Sequence, residues 1–360
     1  MKKIIFFTKN LEIGGLEKAL LNLLNSFDFT QMAVTLVVEE QCGALMDSLN
    51  SAIRVKSYRL STCRIPQLRK LFNFVHRMIW ALCNYKKYDF SCSYCTYSVL
   101  GSRLAKYASS NSCLYVHSDY SQSMPSEEQY RSFFSALGVE RFSHVVFVSN
   151  ESRMAFLEVY PELAGSTCVI NNLVDFNEIK KLAPENVQLS ITGEPLFIFV
   201  GRLEEESKRL SRLIEAFSIA HSARPEIGLL IVGDGKDRKL CELLIKQYHL
   251  ESVIELLGSR RNPYAFLRRA DCLLLTSDYE GFPVVYYEAL TLGMPIITTI
   301  RVSDEMLDIG DYATVVEKDA EAIAQAMVSF QGGSRTPVDL LQMNRKRMRR
   351  IHRLIEGRSP

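Results

Sequence analysis

At 360 residues the chain is too long for one hydrophobic core of ordinary size, so its length predicts two domains. Its 43 basic and 41 acidic residues nearly cancel, which removes bulk charge as a case for nucleic-acid binding. Its apolar runs are all too short to span a bilayer, and nine scattered cysteines read as reduced thiols, so a cytoplasmic protein, or one peripheral to the inner face of the cell membrane, is expected.

The chain opens on strand-like Lys3 to Thr8, too short for the apolar region of a signal peptide. A turn containing Gly14 and Gly15 and a helical run from Ala19 to Ser26 follow, the opening of a doubly wound α/β unit. The glycines let a ligand or a facing domain approach the backbone, although a tight turn explains them equally well. Strand-like Ala33 to Val38, Tyr115-Val116 and Val145 to Val148 continue the alternation, so the first half reads as a Rossmann-like domain.

Between Arg64 and Lys87, basic residues mix with large aromatics at helical spacing, including the only tryptophan, Trp80. Two readings stay open: a helix lying on an anionic membrane surface, or one packing its apolar face on the sheet with its charges in water. Cys92 and Cys95 form a lone C-x-x-C with no second pair at metal spacing, and are expected in the core. His117 and Asp119 stand at the mouth of a strand, where a loop suits a ligand contact. Ser149 reads as a helix cap, and Asn171 to Asp175 as an Asx-type turn.

The stretch from Pro184 to Pro195, poor in large apolar residues, is expected to link the domains. This gives a first domain over 1–185, a second over 195–335, and a basic terminal segment over 336–360. Leu196 to Val200 starts the second strand series. Arg202 at its end and Lys208 before a helical run would bring two cations onto one crevice, suited to a pyrophosphate. Leu229 to Gly235 is a further strand and glycine turn; its Asp234 could suggest a metal ligand, but the sequence contains no Asp-x-Asp.

After strand-like Leu273 to Thr276, Gly281 and Pro283 break the extended pattern and a helix is predicted from near Pro283 to Gly293. Glu280 then lies on the loop and Glu288 about a turn and a half into the helix. Two carboxylates flanking the free amides of a helix start make a polar crevice for a ligand carrying both sugar hydroxyls and phosphates. The tail from Val338 to Arg353 reads as an arginine-rich helix whose basic face is compatible with some membrane attraction.

Glu280 and Glu288, seven residues apart with Gly281-Phe282-Pro283 after the first, resemble the E-x7-E pattern of the retaining family 4 glycosyltransferases. The run from Asn262-Pro263-Tyr264 through Ala270-Asp271 to Gly293-Met294-Pro295 is similar as well, as are Gly14-Gly15-Leu16-Glu17, His117, Asn171 to Asp175, Arg202, Lys208 and Ile231 to Gly235. The chain departs from the family at Arg209, where a glycine usually follows the lysine, and at Ile300 to Glu305, where a glycine-bearing loop is usual.

The resemblance implies an α/β GT-B fold, two Rossmann-like doubly wound domains facing each other across a cleft. It also implies retaining transfer of a hexose-type sugar from a nucleotide-sugar donor, with no metal and no other cofactor. Arg202 and Lys208 would contact the diphosphate, Glu280 with Gly281, Phe282, Pro283 and Val284 the sugar, and Glu288 the ribose. Gly14, Gly15 and His117 would line the site from the first domain. The style of the 262–288 block is most similar to enzymes of bacterial capsule, O-antigen, lipopolysaccharide and exopolysaccharide assembly, whose acceptors are glycans linked to polyprenyl diphosphate. A nucleotide-sugar 2-epimerase of the same architecture and a non-catalytic nucleotide-sugar-binding module remain alternatives.

Overall fold

Two parallel sheets divide the chain in a computed structural model that describes residues 1–39, 42–57, 63–124, 126–302, 312–333 and 336–359. The first unit comprises Met1–Leu173 with Arg345–Pro360, and the second Val174–Asn344.

The first unit runs β1 (Lys2–Thr8), α1 (Gly15–Asn25), β2 (Met32–Val38), β3 (Arg54–Ser57), α2 (Pro66–Asn84), β4 (Phe90–Ser93), α3 (Val99–Ala108), β5 (Ser112–Val116), α4 (Glu127–Leu137), β6 (His144–Phe147), α5 (Asn150–Val159) and β7 (Thr167–Val169). Its sheet order is β3-β2-β1-β4-β5-β6-β7, parallel throughout, in register from Lys2 opposite Met32 to Thr8 opposite Val38. The central strands are buried on both faces, and Phe7, Leu114 and Phe147 pack with Phe134 and Phe156.

The second unit runs α6 (Phe176–Leu182), β8 (Leu196–Val200), α7 (Glu205–Lys208), α8 (Leu210–Ala223), β9 (Gly228–Val232), α9 (Arg238–Gln247), β10 (Ile254–Gly258), α10 (Tyr264–Arg269), β11 (Cys272–Leu275), α11 (Val284–Thr291), β12 (Ile296–Thr298), β13 (Ala313–Val315) and α12 (Ala320–Ser329). Its order is β10-β9-β8-β11-β12-β13, again parallel, over a core of Phe197, Phe199, Leu213, Phe217 and Ile231. In both sheets the order reverses beside the first strand of the unit, between β1 and β4 and between β8 and β11. Such reversals leave a crevice at the carboxyl ends of the strands.

The division falls at Leu173/Val174 rather than in the 184–195 stretch. That stretch is fastened to the second unit: Ser190 donates from its amide and hydroxyl to Glu255 at 2.8 and 3.0 Å, and the Glu194 amide reaches the Glu226 carbonyl at 2.8 Å. Its prolines and glycine mark a surface run along the body of the unit. The terminal helix α13 (Leu341–Ile355) begins in the second unit, where Asn344 bonds the Val174 carbonyl at 2.7 Å, and from Arg345 it belongs to the first. There the buried Arg347 donates to the Asn172 carbonyl at 2.9 Å, so this arginine is a structural residue and not part of a solvated basic face.

No helix among the described residues is long and apolar enough to cross a membrane. Cys92 and Cys95 are buried, as expected of core residues.

Candidate active site

At the β8/β11 reversal, α7 and the loop after β11 are stapled together. The Asp278 amide donates to the Ser207 carbonyl at 3.0 Å, and the Thr276 hydroxyl to the Lys208 carbonyl at 2.9 Å. Lys208 and Glu280 form an ion pair, both largely buried, and the same Glu280 oxygen accepts from Ser277 Oγ at 2.7 Å. The Lys208 chain also runs past the turn after β8, its Cε 3.8 Å from where a Cβ on Gly201 would stand. The next residue, Arg202, is exposed and makes no ion pair among the described residues. One ion pair therefore stands at the mouth of β8 and β11, and Arg202 follows the same turn with its side chain in solvent.

Glycines hold this turn in place. A Cβ on Gly233, at φ 142°, would lie 1.8 Å from the Gly201 carbonyl oxygen, and one on Gly235 2.3 Å from that of Leu203. The β9 turn thus supports the β8 turn by backbone contact. Its Asp234 accepts from the Gly235 amide at 2.8 Å and pairs with Arg238, which accounts for that carboxylate structurally.

Arg209, standing where a glycine is usual, keeps the backbone a glycine would adopt, φ 51° and ψ 57°. Its guanidinium pairs with Asp278, which also accepts from Arg212 at 2.6 Å, and Arg212 reaches back to the Thr276 carbonyl at 3.1 Å. Burial alone would raise the Asp278 carboxyl, but the two arginines together hold it below the usual aspartate range. The left-handed strain at Arg209 is thereby offset by an ion-pair network that also fixes the Ser277–Gly281 loop.

Pro283 caps α11, and Glu288, buried, stands one turn inside it. Tyr264, at the start of α10 and buried, donates its phenol hydroxyl to Glu288; burial first, and then the charge of Glu288, raise that phenol far above its ordinary range. Asn262 sets the start of α10, its side-chain oxygen accepting from the Tyr264 amide at 3.1 Å. Phe282 is stacked on Tyr287, ring centroids 4.4 Å apart, so it props the loop rather than opening onto solvent. Ser303 to Glu305, in the loop departing from the family pattern, lie outside the described residues.

In the first unit, the two glycines after β1 do different things. A Cβ on Gly14 would strike the Glu17 carboxylate at 2.3 Å, whereas one on Gly15 would meet nothing within 4 Å. Glu17, buried, accepts from the Tyr97 hydroxyl at 2.7 Å, so Gly14 makes room for a carboxylate turned back over the start of α1.

His117, leaving β5, lies against Tyr115 and Tyr94 with ring centroids 5.0 and 4.5 Å away. Neither ring nitrogen meets a hydrogen-bond partner in good geometry. Burial pushes its pKa down to about 3, only partly opposed by the Tyr94 backbone, so the imidazole is neutral at any ordinary pH. Asp119 accepts from the amide and hydroxyl of Ser121 and is a turn residue. Ser149 caps α5 through the Ser152 amide, and Asp175 caps α6 through that of Glu178. Tyr97, Tyr264, Arg212 and Asp278 were not among the sequence-predicted site residues; Tyr264 alone carried a local signal, in Asn262-Pro263-Tyr264.

Residues 184–346 match the family described as glycosyl transferases group 1. The lipopolysaccharide 1,6-galactosyltransferase of Escherichia coli is 31% identical over 140 residues, 38% of this chain and 37% of that protein. The N-acetylgalactosamine-N,N'-diacetylbacillosaminyl-diphospho-undecaprenol 4-alpha-N-acetylgalactosaminyltransferase of Campylobacter jejuni is 29% identical over 157 residues, 42% of this chain and 40% of that protein. The chain thus spans about two fifths of the length of the curated relatives it matches. Among solved structures, Anabaena HepE in complex with UDP and glucose superposes with a TM-score of 0.71 at 20% identity, over 91% of this chain and 89% of HepE. The fold is that of the GT-B glycosyltransferases, and residues 184–346 carry the sequence pattern of the group 1 glycosyl transferases.

Proposed function

We propose that the chain is a retaining, metal-independent glycosyltransferase of bacterial surface polysaccharide assembly. It moves a hexose-type sugar from a nucleotide diphosphate sugar to a hydroxyl of a glycan acceptor linked to polyprenyl diphosphate. The observation that carries the reading is the Lys208–Glu280 pair at the β8/β11 reversal, with Arg202 exposed just after β8 and Glu288 buried one turn into the helix that follows β11.

In the reaction, the bond from the anomeric carbon to the diphosphate oxygen breaks while the acceptor hydroxyl oxygen bonds to that carbon from the same face. The hydroxyl proton passes to the departing phosphate. Negative charge grows on the leaving group, and Arg202 and Lys208 offset it where other enzymes use a divalent cation. Lys208 is now held by Glu280, so a bound diphosphate competes for its ammonium and frees Glu280 to accept from sugar hydroxyls. The Gly281–Val284 backbone supplies the amides of a helix start beside them. Glu288, steadied by Tyr264, accepts from the ribose hydroxyls. On the first unit, Gly15 leaves open backbone and His117 a neutral imidazole, both suited to an uncharged hydroxylated ligand.

The acceptor class draws support from the Campylobacter relative, whose name carries a diphospho-undecaprenol, and the donor class from HepE, solved with UDP and glucose. The test is a thermal-shift panel of UDP-, GDP-, dTDP- and ADP-sugars in chelator, since a ligand that binds only the folded state raises the melting temperature. One nucleotide class should stabilise the protein, and Glu288→Ala should abolish the shift. An undiminished shift in Glu288→Ala would refute the ribose role. Consumption of donor without acceptor would point to an epimerase, and binding without turnover to a binding module.

A further inference from the structure

Helix α2 is turned inside out. Leu68, Leu71, Phe72, Val75, Ile79 and Leu82 recur at the spacing of one helical face, which in a soluble domain belongs against the core. Here each is between 41 and 74% exposed. The opposite face, carrying Asn73, Arg77, Trp80 and Asn84, is turned to the body of the unit. Trp80 packs edge-on against Phe7 at 5.6 Å, while Arg77 and Asn84 satisfy themselves on carbonyls of their own helix, those of Asn73 and Trp80, at 3.1 and 2.8 Å. A water-facing stripe of six large apolar side chains along one helix is far beyond the scattered exposure of an ordinary surface.

Charge says what covers it. The chain as a whole is nearly balanced, yet from Ser48 to Tyr88 it has no aspartate or glutamate at all, while Arg54, Lys56, Arg59, Arg64, Arg69, Lys70, Arg77, Lys86 and Lys87 all fall in that window. Arg69 stands beside the apolar stripe and Lys70 further round the helix, both exposed, and the helix is followed by Tyr85, Lys86 and Lys87, also exposed. An apolar face bordered by basic residues, without an acidic one, with an aromatic and two lysines at the end, fits the boundary between anionic lipid headgroups and their acyl chains. A protein partner of ordinary mixed charge gives no reason for the exclusion of every carboxylate.

We infer that α2 is a membrane-docking helix. Its Leu68–Leu82 stripe enters the acyl boundary of an anionic bilayer lying in the plane of the surface, and its flanking arginines and lysines pair with the lipid phosphates. The inference rests on α2 alone and goes beyond the glycosyl-transfer reading.

The test is co-sedimentation of the full chain with phosphatidylcholine vesicles containing phosphatidylglycerol, against vesicles of phosphatidylcholine only. Binding to the anionic vesicles is expected, weakened by added salt and at least about tenfold lower on the neutral ones. Leu71→Gln, Phe72→Gln and Ile79→Gln together should lower binding by about tenfold or more, with an unchanged or higher melting temperature, because the side chains they replace face water. Arg69→Glu with Lys70→Glu should abolish the preference for anionic vesicles. Failure of the wild type to sediment with either vesicle would overturn the inference, as would triple-variant binding equal to wild type. So would a wild-type dimer in sedimentation velocity that the triple variant converts to monomer, which would make the stripe a self-association surface. A triple variant that loses vesicles and keeps its nucleotide-sugar thermal shift separates this inference from the donor reading.

Discussion

The crevices at the two strand-order reversals are furnished in opposite ways. At β8/β11 the second unit gathers charge and answers it with charge: Lys208 with Glu280, Arg209 and Arg212 with Asp278, leaving the exposed Arg202 over. Near β1/β4 the first unit gathers rings and hydroxyls: His117 between Tyr94 and Tyr115, and Glu17 held by the Tyr97 hydroxyl. The same topology is thus furnished with two kinds of chemistry. A crevice whose cations are prepositioned by carboxylates has the chemistry that the proposed diphosphate would need, since an anion can compete for those cations. A crevice whose only imidazole is kept neutral by burial offers hydrogen bonds without charge, which suits a hydroxyl-bearing sugar.

The largest expected effect falls on the charged crevice. Arg202→Ala or Lys208→Ala should each lower kcat by about a hundredfold or more, the loss typical when a donor to a developing anion is removed. KM for the donor should change less than kcat, since the cations matter most as the leaving group charges. A loss confined to KM would make them ground-state binders only. Next comes Asp278→Ala, which leaves Arg212 with the Thr276 carbonyl alone and unties the loop. Urea unfolding should show a cost of about 2–3 kcal/mol, below the range for a fully buried pair because Arg209 is partly exposed. A cost under about 0.5 kcal/mol would mean the network is a solvated one.

How much of this contrast was legible in the sequence follows from distance along the chain. Glu280, Gly281, Pro283 and Glu288 could be read because strand end, turn breaker and helix start lie within a dozen residues, where spacing alone fixes geometry. The same holds for the two cations after β8. Arg212 with Asp278, 66 residues apart, depends on β11 lying beside β8, and Tyr264 with Glu288 on two helices meeting; no local pattern encodes either. Helix α2 is the clearest case. Its period and basic aromatic composition were plain, but period says only that a helix has two faces, and the core decides which is covered. The division at Leu173/Val174 was displaced for a related reason, since prolines and glycine mark a run without regular structure, whether it swings free or is tied down as Ser190 is to Glu255.

The neutral crevice makes a pH prediction of its own. The His117 pKa is about 3 when folded and near 6.5 when unfolded, so the unfolded chain binds the proton more readily throughout that window. The contribution is whole above about 6.5 and is lost as pH falls towards about 3, by at most about 1.4 kcal/mol per pH unit. Burial also lowers the pKa of His144 and His352, so they tilt the profile the same way, and the informative quantity is a difference. His117→Phe should flatten the fall in unfolding free energy between pH 6.5 and 5 by up to about 2 kcal/mol relative to wild type. Parallel profiles would mean the ring is hydrated and charged in the folded protein, and the two crevices would then differ less than their geometry implies.

The smallest effect tests how the charged crevice affords its one strained residue. A side chain at φ 51° costs about 1 kcal/mol relative to glycine, and a partly exposed arginine–aspartate pair returns about as much. Arg209→Gly removes both together and should leave stability within about 0.5 kcal/mol of wild type, while Arg209→Ala keeps the strain and loses the pair, falling about 1 kcal/mol below the glycine variant. The order of the two variants is what matters. If alanine and glycine are equal, the backbone there is relaxed and Arg209 is no more than a surface ion pair. If glycine lies well below alanine, the usual preference at a left-handed position fails here and the turn must open when the side chain is lost. Glycine above alanine and level with arginine would establish that an ion pair to Asp278 has taken over the work a glycine does elsewhere, holding Lys208 beside Glu280.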